Sequence, residues 1–268
     1  MPATRLAVAD FDPLFVTLAR SLVAAALAAL TLLWARPPLA ARRDWARLAA
    51  FALFSIIGFP LLMAIAMQYA PASHGAVVLA VLPLLIAMSG ALAAGERPSI
   101  GFWACAVAGT GSALLYALMS GSGSGALQWA DLLLAASAVS AAMAYALGAR
   151  RIGGWEVICW ALVFSAPAIL PSLLLFAWPT NWQAPAPAWA GFFYVAVFSM
   201  FLGFFAWSKG LAIGGIAKVG QIQLLQPFVA LAAAALLLGE QVGWLELVFA
   251  AVVVGIVAVG WRIGVVQR

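Results

Sequence analysis

The stretch Lys218–Glu240, KVGQIQLLQPFVALAAAALLLGE, decides the fold of this chain because it has a counterpart 144 residues earlier. That counterpart is His74–Glu96, HGAVVLAVLPLLIAMSGALAAGE, and the two stretches align without a gap. Pro83 falls on Pro227, and both copies end in Gly-Glu. An ungapped correspondence of this length indicates an internal repeat. The chain is therefore predicted to contain two copies of one unit.

The composition places the chain in a membrane. Of its 268 residues, 67% are hydrophobic and 8% are charged, whereas soluble domains carry about 25% charged residues. The mean hydropathy is +1.12. Crossing the hydrocarbon core of a bilayer takes about 20 apolar residues in a helix. The segments predicted to do so are Phe11–Trp34, Leu48–Tyr69, Gly75–Ala94, Ile100–Met119, Leu127–Leu147, Trp155–Trp178, Trp189–Trp207, Val219–Leu238 and Trp244–Trp261.

The basic residues are concentrated in alternate connections between these segments. The connections 71–73, 120–125 and 179–188 carry no Lys or Arg. The positive-inside rule then predicts an inner-membrane protein with a cytoplasmic C-terminus. The same placement explains the net charge of +5 without nucleic acid as a partner. The basic connections hold Arg36, Arg42, Arg43, Arg47, Arg97, Arg150, Arg151, Lys209 and Lys218.

The N-terminus is shorter than the repeat requires. With the 144-residue offset, the partner of Leu127–Leu147 should precede Phe11, where ten residues stand. We expect these residues to be the tail of a first helix whose body lies upstream of Met1; a nine-span protein that lost this helix is the alternative.

Five spans in a unit is an odd number, so the second unit must enter the membrane in the opposite orientation. The predicted fold is an all-α membrane protein, a polytopic helical bundle of two inverted five-helix repeats. Residues 1–122 form the first repeat, which lacks most of its first helix, and residues 123–268 form the second.

Several of these features resemble the EamA-type units of the drug/metabolite transporter superfamily. They are the proline twelve residues before Gly-Glu in each half, Arg20 within LARSLVAAAL, and the sequence FAWSKGLAIGGIAKV before the second copy. The resemblance covers essentially the whole chain. It implies ten helices with both termini in the cytoplasm and the export of small metabolites such as amino acids. The YddG-type aromatic amino-acid exporters are one group of members that this chain resembles.

Pro83 and Pro227 are predicted to break their helices within the membrane. A proline inside a helix frees a backbone carbonyl, which lipid tolerates only where neighbours or a water-filled cavity satisfy it. Matched breaks in two halves of a transporter indicate the substrate site. Kinks that serve packing alone are the alternative.

Gln221, Gln223 and Gln226 are candidate substrate ligands beside the second proline. Amide groups bind a carboxylate or an amine without a fixed charge. Because each helical residue turns by about 100°, Gln221 and Gln223 point about 160° apart, so at most two of the three can face one cavity. Hydrogen bonds between helices are the alternative role.

Three cationic side chains are candidates for other roles. His74 and Lys218 coincide in the repeat and, since the repeats are inverted, lie near opposite mouths, where they would guide or gate a substrate carboxylate; simple solvation is the alternative. Arg20 lies inside the first span, where an unpaired charge costs about 2.5–3.5 kcal/mol at the centre of a helix. We expect Arg20 to face the interior with a structural role, ahead of substrate binding.

Trp160, Trp207 and Tyr116 are candidates to line an apolar substrate cavity, with ordinary packing in the core or against lipid as the alternative. Because His74 is the sole histidine and both cysteines fall within spans, no metal or cofactor is expected. No catalytic residues are predicted, since an enzyme needs a cluster of nucleophile, base or metal ligands.

The predicted function is export of small organic metabolites, with aromatic or hydrophobic amino acids favoured, by alternating access. The central cavity would lie between the third/fourth and eighth/ninth helices of the ten-helix scheme. Efflux of drugs or lipophilic cations is the alternative and would call for an acidic side chain in mid-span. Proton coupling and facilitated transport both remain open. The expected partners are the bilayer and a small-molecule substrate, and the sequence is compatible with a monomer.

Overall fold

The computed structural model of this chain is helical almost throughout. An antiparallel pair of two-residue strands, β1 (Arg97–Pro98) and β2 (Val265–Val266), joins two distant parts of the chain. The residues that the structure describes are 1–70, 75, 82–89, 91, 97–119, 129–148, 154–178, 181–215, 219, 222, 225–226, 229, 232–233, 235–236, 243–262 and 265–266. The helices are α1 (Pro2–Val8), α2 (Pro13–Ala35), α3 (Arg42–Tyr69), α4 (Leu82–Ser89), α5 (Ile100–Met119), α6 (Trp129–Gly148), α7 (Trp155–Phe176), α8 (Ala186–Gly214) and α9 (Trp244–Arg262).

Five helices within the described residues, α2, α3, α6, α7 and α8, are long and apolar enough to cross a membrane. They confirm five of the predicted spans. The helices α5 and α9 coincide with two more and contain shorter apolar stretches. The spans predicted at 75–94 and 219–238 lie largely outside the described residues. Several helices continue past the apolar run that reveals them: α3 begins six residues before its predicted start and α8 ends seven after its predicted end.

Local chemistry sets the ends of α2. The Asp12 carboxylate accepts hydrogen bonds from the backbone N–H groups of Leu14 and Phe15, at 2.8 and 3.3 Å, and Pro13 occupies the first turn, where no N–H is needed. At the other end Arg36 adopts a left-handed conformation, with φ of 48°. Two prolines follow it and cannot continue the helix.

The packing of the helices follows the repeat. Shifted by 144 residues, α2 falls on α7 and α5 falls on α9, and each pair is in direct contact. A helix packs against its own counterpart only where the axis relating the two copies passes between them. Two further contacts are related by the same 144-residue offset: α3 packs on α6, and α1 packs on α8. This arrangement is the one expected of two inverted repeats.

The contact between α1 and α8 requires a glycine. A Cβ atom at Gly191 would lie 2.6 Å from the carbonyl oxygen of Ala3 and 3.0 Å from the backbone nitrogen of Ala7. Both are backbone atoms of α1, which cannot turn aside as a side chain can. The seven-residue α1 therefore packs directly on the backbone of α8.

Two helices depart from α-helical geometry at matching places. In α3 the α-helical segment Trp45–Ala52 gives way to a π-helical segment, Leu53–Gly58, before Phe59–Tyr69 resumes the α-helix. In α8 the π-helical segment is Tyr194–Gly203, between Ala186–Phe193 and Phe204–Gly214. The offset of 144 residues carries 53–58 onto 197–202, inside the second segment. The repeat therefore extends to an irregularity of the backbone.

Candidate substrate site

The π-helical segment of α3 is held by the first helix of the second repeat. A π-helical turn lengthens the backbone hydrogen bonding by one residue, so the Phe54 carbonyl accepts from the backbone N–H of Phe59. Here the Ser140 hydroxyl of α6 donates to the carbonyl oxygen of Phe54 at 2.9 Å. The Ser55 hydroxyl is buried and has no hydrogen-bond partner among the described groups. The segment thus places polar atoms inside the bundle, where the two repeats meet.

Arg20 lies on the neighbouring helix and is 3% exposed. It follows the first residue of α2 by seven positions, about 10 Å along the helix, so its position is well inside the span. Its Nη2 donates to the sulfur of Met200 at 3.4 Å, and Met200 belongs to the π-helical segment of α8. The contact joins the first repeat to the second.

The groups around Arg20 do not neutralise its charge. Its Nε atom is buried and unpaired among the described residues, and no described acidic side chain lies within ion-pair distance of it. The hydroxyl groups of Thr17 and Ser21, both buried, donate to carbonyls of their own helix at 2.8 and 2.7 Å. A methionine sulfur is only a weak acceptor. The described structure therefore contains a buried guanidinium without an anionic partner.

The corresponding position in the second repeat is apolar. Adding 144 to residue 20 gives Phe164 of α7. Its ring stacks on Trp160, with centroids 5.6 Å apart, and tilts against Trp45 at 5.5 Å. Trp160 is buried in this group. The two repeats thus share a backbone plan but differ in charge at this level.

A second aromatic pair lies elsewhere in the bundle. The rings of Tyr145 and Trp207 are 6.4 Å apart, and the Trp207 Nε1–H is buried without a partner in the described part of the chain. An indole N–H is a donor only, so it would suit a substrate oxygen. Among the described residues, no ring contact links Trp160 to Trp207, since Trp207 contacts Tyr145 and Trp160 contacts Phe164.

The other predicted site residues are described only in part. Gln226 is helical and half-buried. Pro83 is the second residue of α4, and Tyr116 belongs to α5. Substrate contact by these residues stays a prediction, as do the gating roles. The remaining candidates lie outside the described residues: Gln221, Gln223, Pro227, His74 and Lys218.

Sequence reasoning missed the π-helical segments, although a signal for them was present. Phe54-Ser55 recurs as Phe198-Ser199 at the same offset of 144 residues. The matched prolines, on which the predicted site was based, do not include this pair. The partner of the Phe54 carbonyl, in contrast, could not be found in this way, because Ser140 is 86 residues away.

The fold and this interface define a multi-pass helical membrane protein with a buried cation between its repeats. The EamA-like transporter family matches residues 1–118 and 128–261. The chain therefore belongs to that family, as the sequence motifs predicted, and is a membrane transporter of the EamA type.

Among the proteins similar to it are a bacterial relative and a solved structure. "Uncharacterized transporter YdeK" of Bacillus subtilis (strain 168) is 47% identical over 248 residues, which cover 91% of this chain and 85% of that protein. A solved structure described as "Crystal structure of protein" aligns with a TM-score of 0.73 over 95% of this chain and 90% of its own. Its sequence identity of 17% makes this a likeness of fold alone. The family match alone indicates that this chain is a transporter.

Proposed function

We propose that this transporter exports small organic metabolites, with amino acids favoured, by alternating access between its two repeats. The observation that carries the proposal is the pair of π-helical segments at corresponding places in α3 and α8. π-Helical turns are frequent at functional sites. In inverted-repeat transporters the substrate binds near the midplane at the repeat interface, and each of these segments contacts a helix of the other repeat.

The matched segments support a two-state mechanism for a physical reason. Inverted repeats that adopt slightly different conformations open a pathway to one side of the membrane, and an exchange of those conformations opens it to the other. A carbonyl that accepts from a second helix as well as from its own backbone, as Phe54 does from Ser140 and Phe59, can lose one donor in a change of shape without being left unpaired in lipid.

The placement of acidic residues favours metabolites over lipophilic cations. In the described spans, Asp44, Asp131 and Glu156 lie in or beside the first turn of their helices, where the helix dipole favours a carboxylate. A carrier of lipophilic cations would need an acidic group deep in the membrane. The described spans hold a deep cation instead, Arg20.

The test is counterflow in proteoliposomes made from the full chain. Vesicles preloaded with an unlabelled amino acid are diluted into a trace of the labelled one, and uptake is followed for each of the twenty amino acids. We expect transient accumulation of at least one of them. Absence of accumulation for all of them, together with accumulation of labelled tetraphenylphosphonium, would shift the assignment to cation efflux.

The proposed substrate contacts can be tested in the same vesicles. Gln226→Ala should reduce counterflow if its amide binds substrate beside the second proline. Ile222→Ala is the matched control, because Ile222 lies four residues earlier and is exposed. Equal counterflow in both variants would remove Gln226 from the site.

We propose the inner membrane as the location, with the C-terminus in the cytoplasm, on the strength of the charge distribution among the connections. A fluorescent protein that folds only in the cytoplasm, fused after residue 268, should be bright. Alkaline phosphatase fused at the same point should be inactive. A dark fluorescent fusion with an active phosphatase fusion would show that the C-terminus lies outside the cytoplasm.

A further inference from the structure

We propose that Arg20 binds the carboxylate group of the transported substrate, so that this transporter selects carboxylates and not cations. The inference rests on the proposed transport function and assigns a chemical class to its substrate. It is carried by three observations: the burial of the guanidinium, its lack of an anionic partner among the described residues, and its place between the repeats.

The burial makes an unneutralised charge costly. Arg20 is 3% exposed, and a guanidinium remains protonated in proteins. A buried cation is normally paired with an acid or fully hydrogen-bonded. The described structure offers Arg20 the Met200 sulfur at 3.4 Å and no carboxylate. An anion delivered by the substrate would complete the coordination.

The fold itself does not demand a cation at this position. In the second repeat the same position on the helix carries Phe164, which packs against the rings of Trp160 and Trp45. The second repeat therefore has an aromatic ring, 41% exposed, where the first repeat has Arg20, so the shared backbone plan does not require a cation at this position. The structural role predicted from the sequence is the alternative, in which the contact with the Met200 sulfur would serve packing alone.

The location suits a group that must hold and then release a ligand. Arg20 extends from α2 to the π-helical segment of α8, in which Met200 lies. A change in the shape of that segment would alter the guanidinium surroundings. Two parallel N–H groups of a guanidinium bind a carboxylate in a fixed geometry, which a lysine ammonium cannot reproduce.

The experiment measures binding to the purified full chain in nanodiscs. The twenty amino acids are screened first, and the tightest binder is compared with its decarboxylated amine, its deaminated acid and tetraphenylphosphonium. We expect the amino acid and the deaminated acid to bind at least about tenfold more tightly than the amine, since a hydrogen bond to a charged group is typically worth that much. Tighter binding of the amine or of tetraphenylphosphonium overturns the inference.

Substitutions then locate the effect. Arg20→Gln should weaken binding of the carboxylate by about ten- to a hundredfold, and Arg20→Lys should weaken it less. Met200→Leu is the matched control, because it removes the sulfur contact and retains the charge. If Arg20→Gln does not fold, the Lys variant and the comparison of acid with amine in the parent protein still test whether Arg20 binds the carboxylate. Carboxylate binding unchanged in folded Arg20→Gln overturns the inference.

Counterflow distinguishes a failure of this inference from a failure of the proposed transport function. Transport that proceeds equally well in the parent and in Arg20→Gln refutes the role of Arg20 and leaves the transporter proposal in place. No transport of any tested compound by folded parent protein, with carboxylate binding that depends on Arg20, refutes the transport proposal and retains the carboxylate site.

Discussion

Replacing Gly58 by alanine should destabilise this protein chiefly through its contact with Ser140, since the next nearest atom, the Leu53 backbone oxygen, is 3.1 Å from the added Cβ. Gly58 is the last residue of the π-helical segment in α3. A Cβ atom there would lie 2.5 Å from the Ser140 hydroxyl oxygen, which is closer than two such atoms approach. The hydroxyl must turn away, and its hydrogen bond to the Phe54 carbonyl, at 2.9 Å, is then lost.

The size of the effect follows from two opposing contributions. Loss of the Ser140 hydrogen bond costs about 0.5–1.5 kcal/mol, because the Phe54 carbonyl keeps the backbone N–H of Phe59 as a donor, and forcing the hydroxyl away from the added methyl group costs at least about 1 kcal/mol more. Alanine in place of glycine stabilises a helix by up to about 1 kcal/mol. We therefore expect Gly58→Ala to lower the free energy of unfolding by about 1 kcal/mol in the parent protein.

A double-mutant cycle isolates the contact. In a Ser140→Ala background the hydroxyl is absent, and the nearest remaining atom to the added Cβ is the backbone oxygen of Leu53 at 3.1 Å, so Gly58→Ala should cost less there than in the parent protein. The coupling between the two sites is expected to be about 1–2 kcal/mol. Unfolding by denaturing detergent in mixed micelles, followed by intrinsic tryptophan fluorescence, gives all four free energies.

Gly111→Ala provides the control. The described atoms leave open space around a Cβ at residue 111, so this substitution should be neutral or slightly stabilising. If Gly58→Ala changes the stability by the same amount with and without the Ser140 hydroxyl, the proposed contact is not responsible and the reasoning is refuted.

Three further predictions concern single positions. Asp12→Ala should lower the stability by about 1 kcal/mol, because two backbone N–H groups at the start of α2 lose their acceptor; Asp12→Asn, which keeps an acceptor, should cost less in the same unfolding assay. Gly191→Leu should detach α1 from α8, since the added side chain meets backbone atoms; limited proteolysis near the N-terminus should then accelerate, and unchanged cleavage would contradict the close packing. Cys159 is buried whereas Cys105 is half-buried, so a maleimide should label Cys105 first, and Cys159 only as the protein unfolds; faster labelling of Cys159 would contradict its burial.

The membrane-spanning segments could be predicted because the bilayer itself sets their length and polarity. Each of α2, α3, α6, α7 and α8 contains an apolar stretch of the predicted kind. Their exact ends were less predictable, since they depend on local chemistry such as the Asp12 cap and the left-handed Arg36 of α2. The family could be predicted because its motifs and its repeat are linear patterns.

The interior of the bundle could be predicted only in part. The interior position expected for Arg20 agrees with its burial, because a charge in an apolar helix avoids lipid. Its surroundings could not be read from α2, since Met200 is 180 residues away. The same holds for Ser140 on the Phe54 carbonyl, a contact that exists only after two repeats have packed.

The sequence alone determined that this chain is a helical membrane protein of two inverted repeats and that it belongs to a transporter family. These properties are encoded in hydropathy, charge placement and a recurring pattern, each of which acts along the chain. Only the tertiary structure decided what surrounds the corresponding positions of the two repeats. The bundle leaves the Arg20 guanidinium without an anionic partner among the described residues and places an aromatic group around its counterpart, Phe164. The two positions therefore differ in the side chains that surround them, and these surroundings form only when helices far apart in sequence pack together.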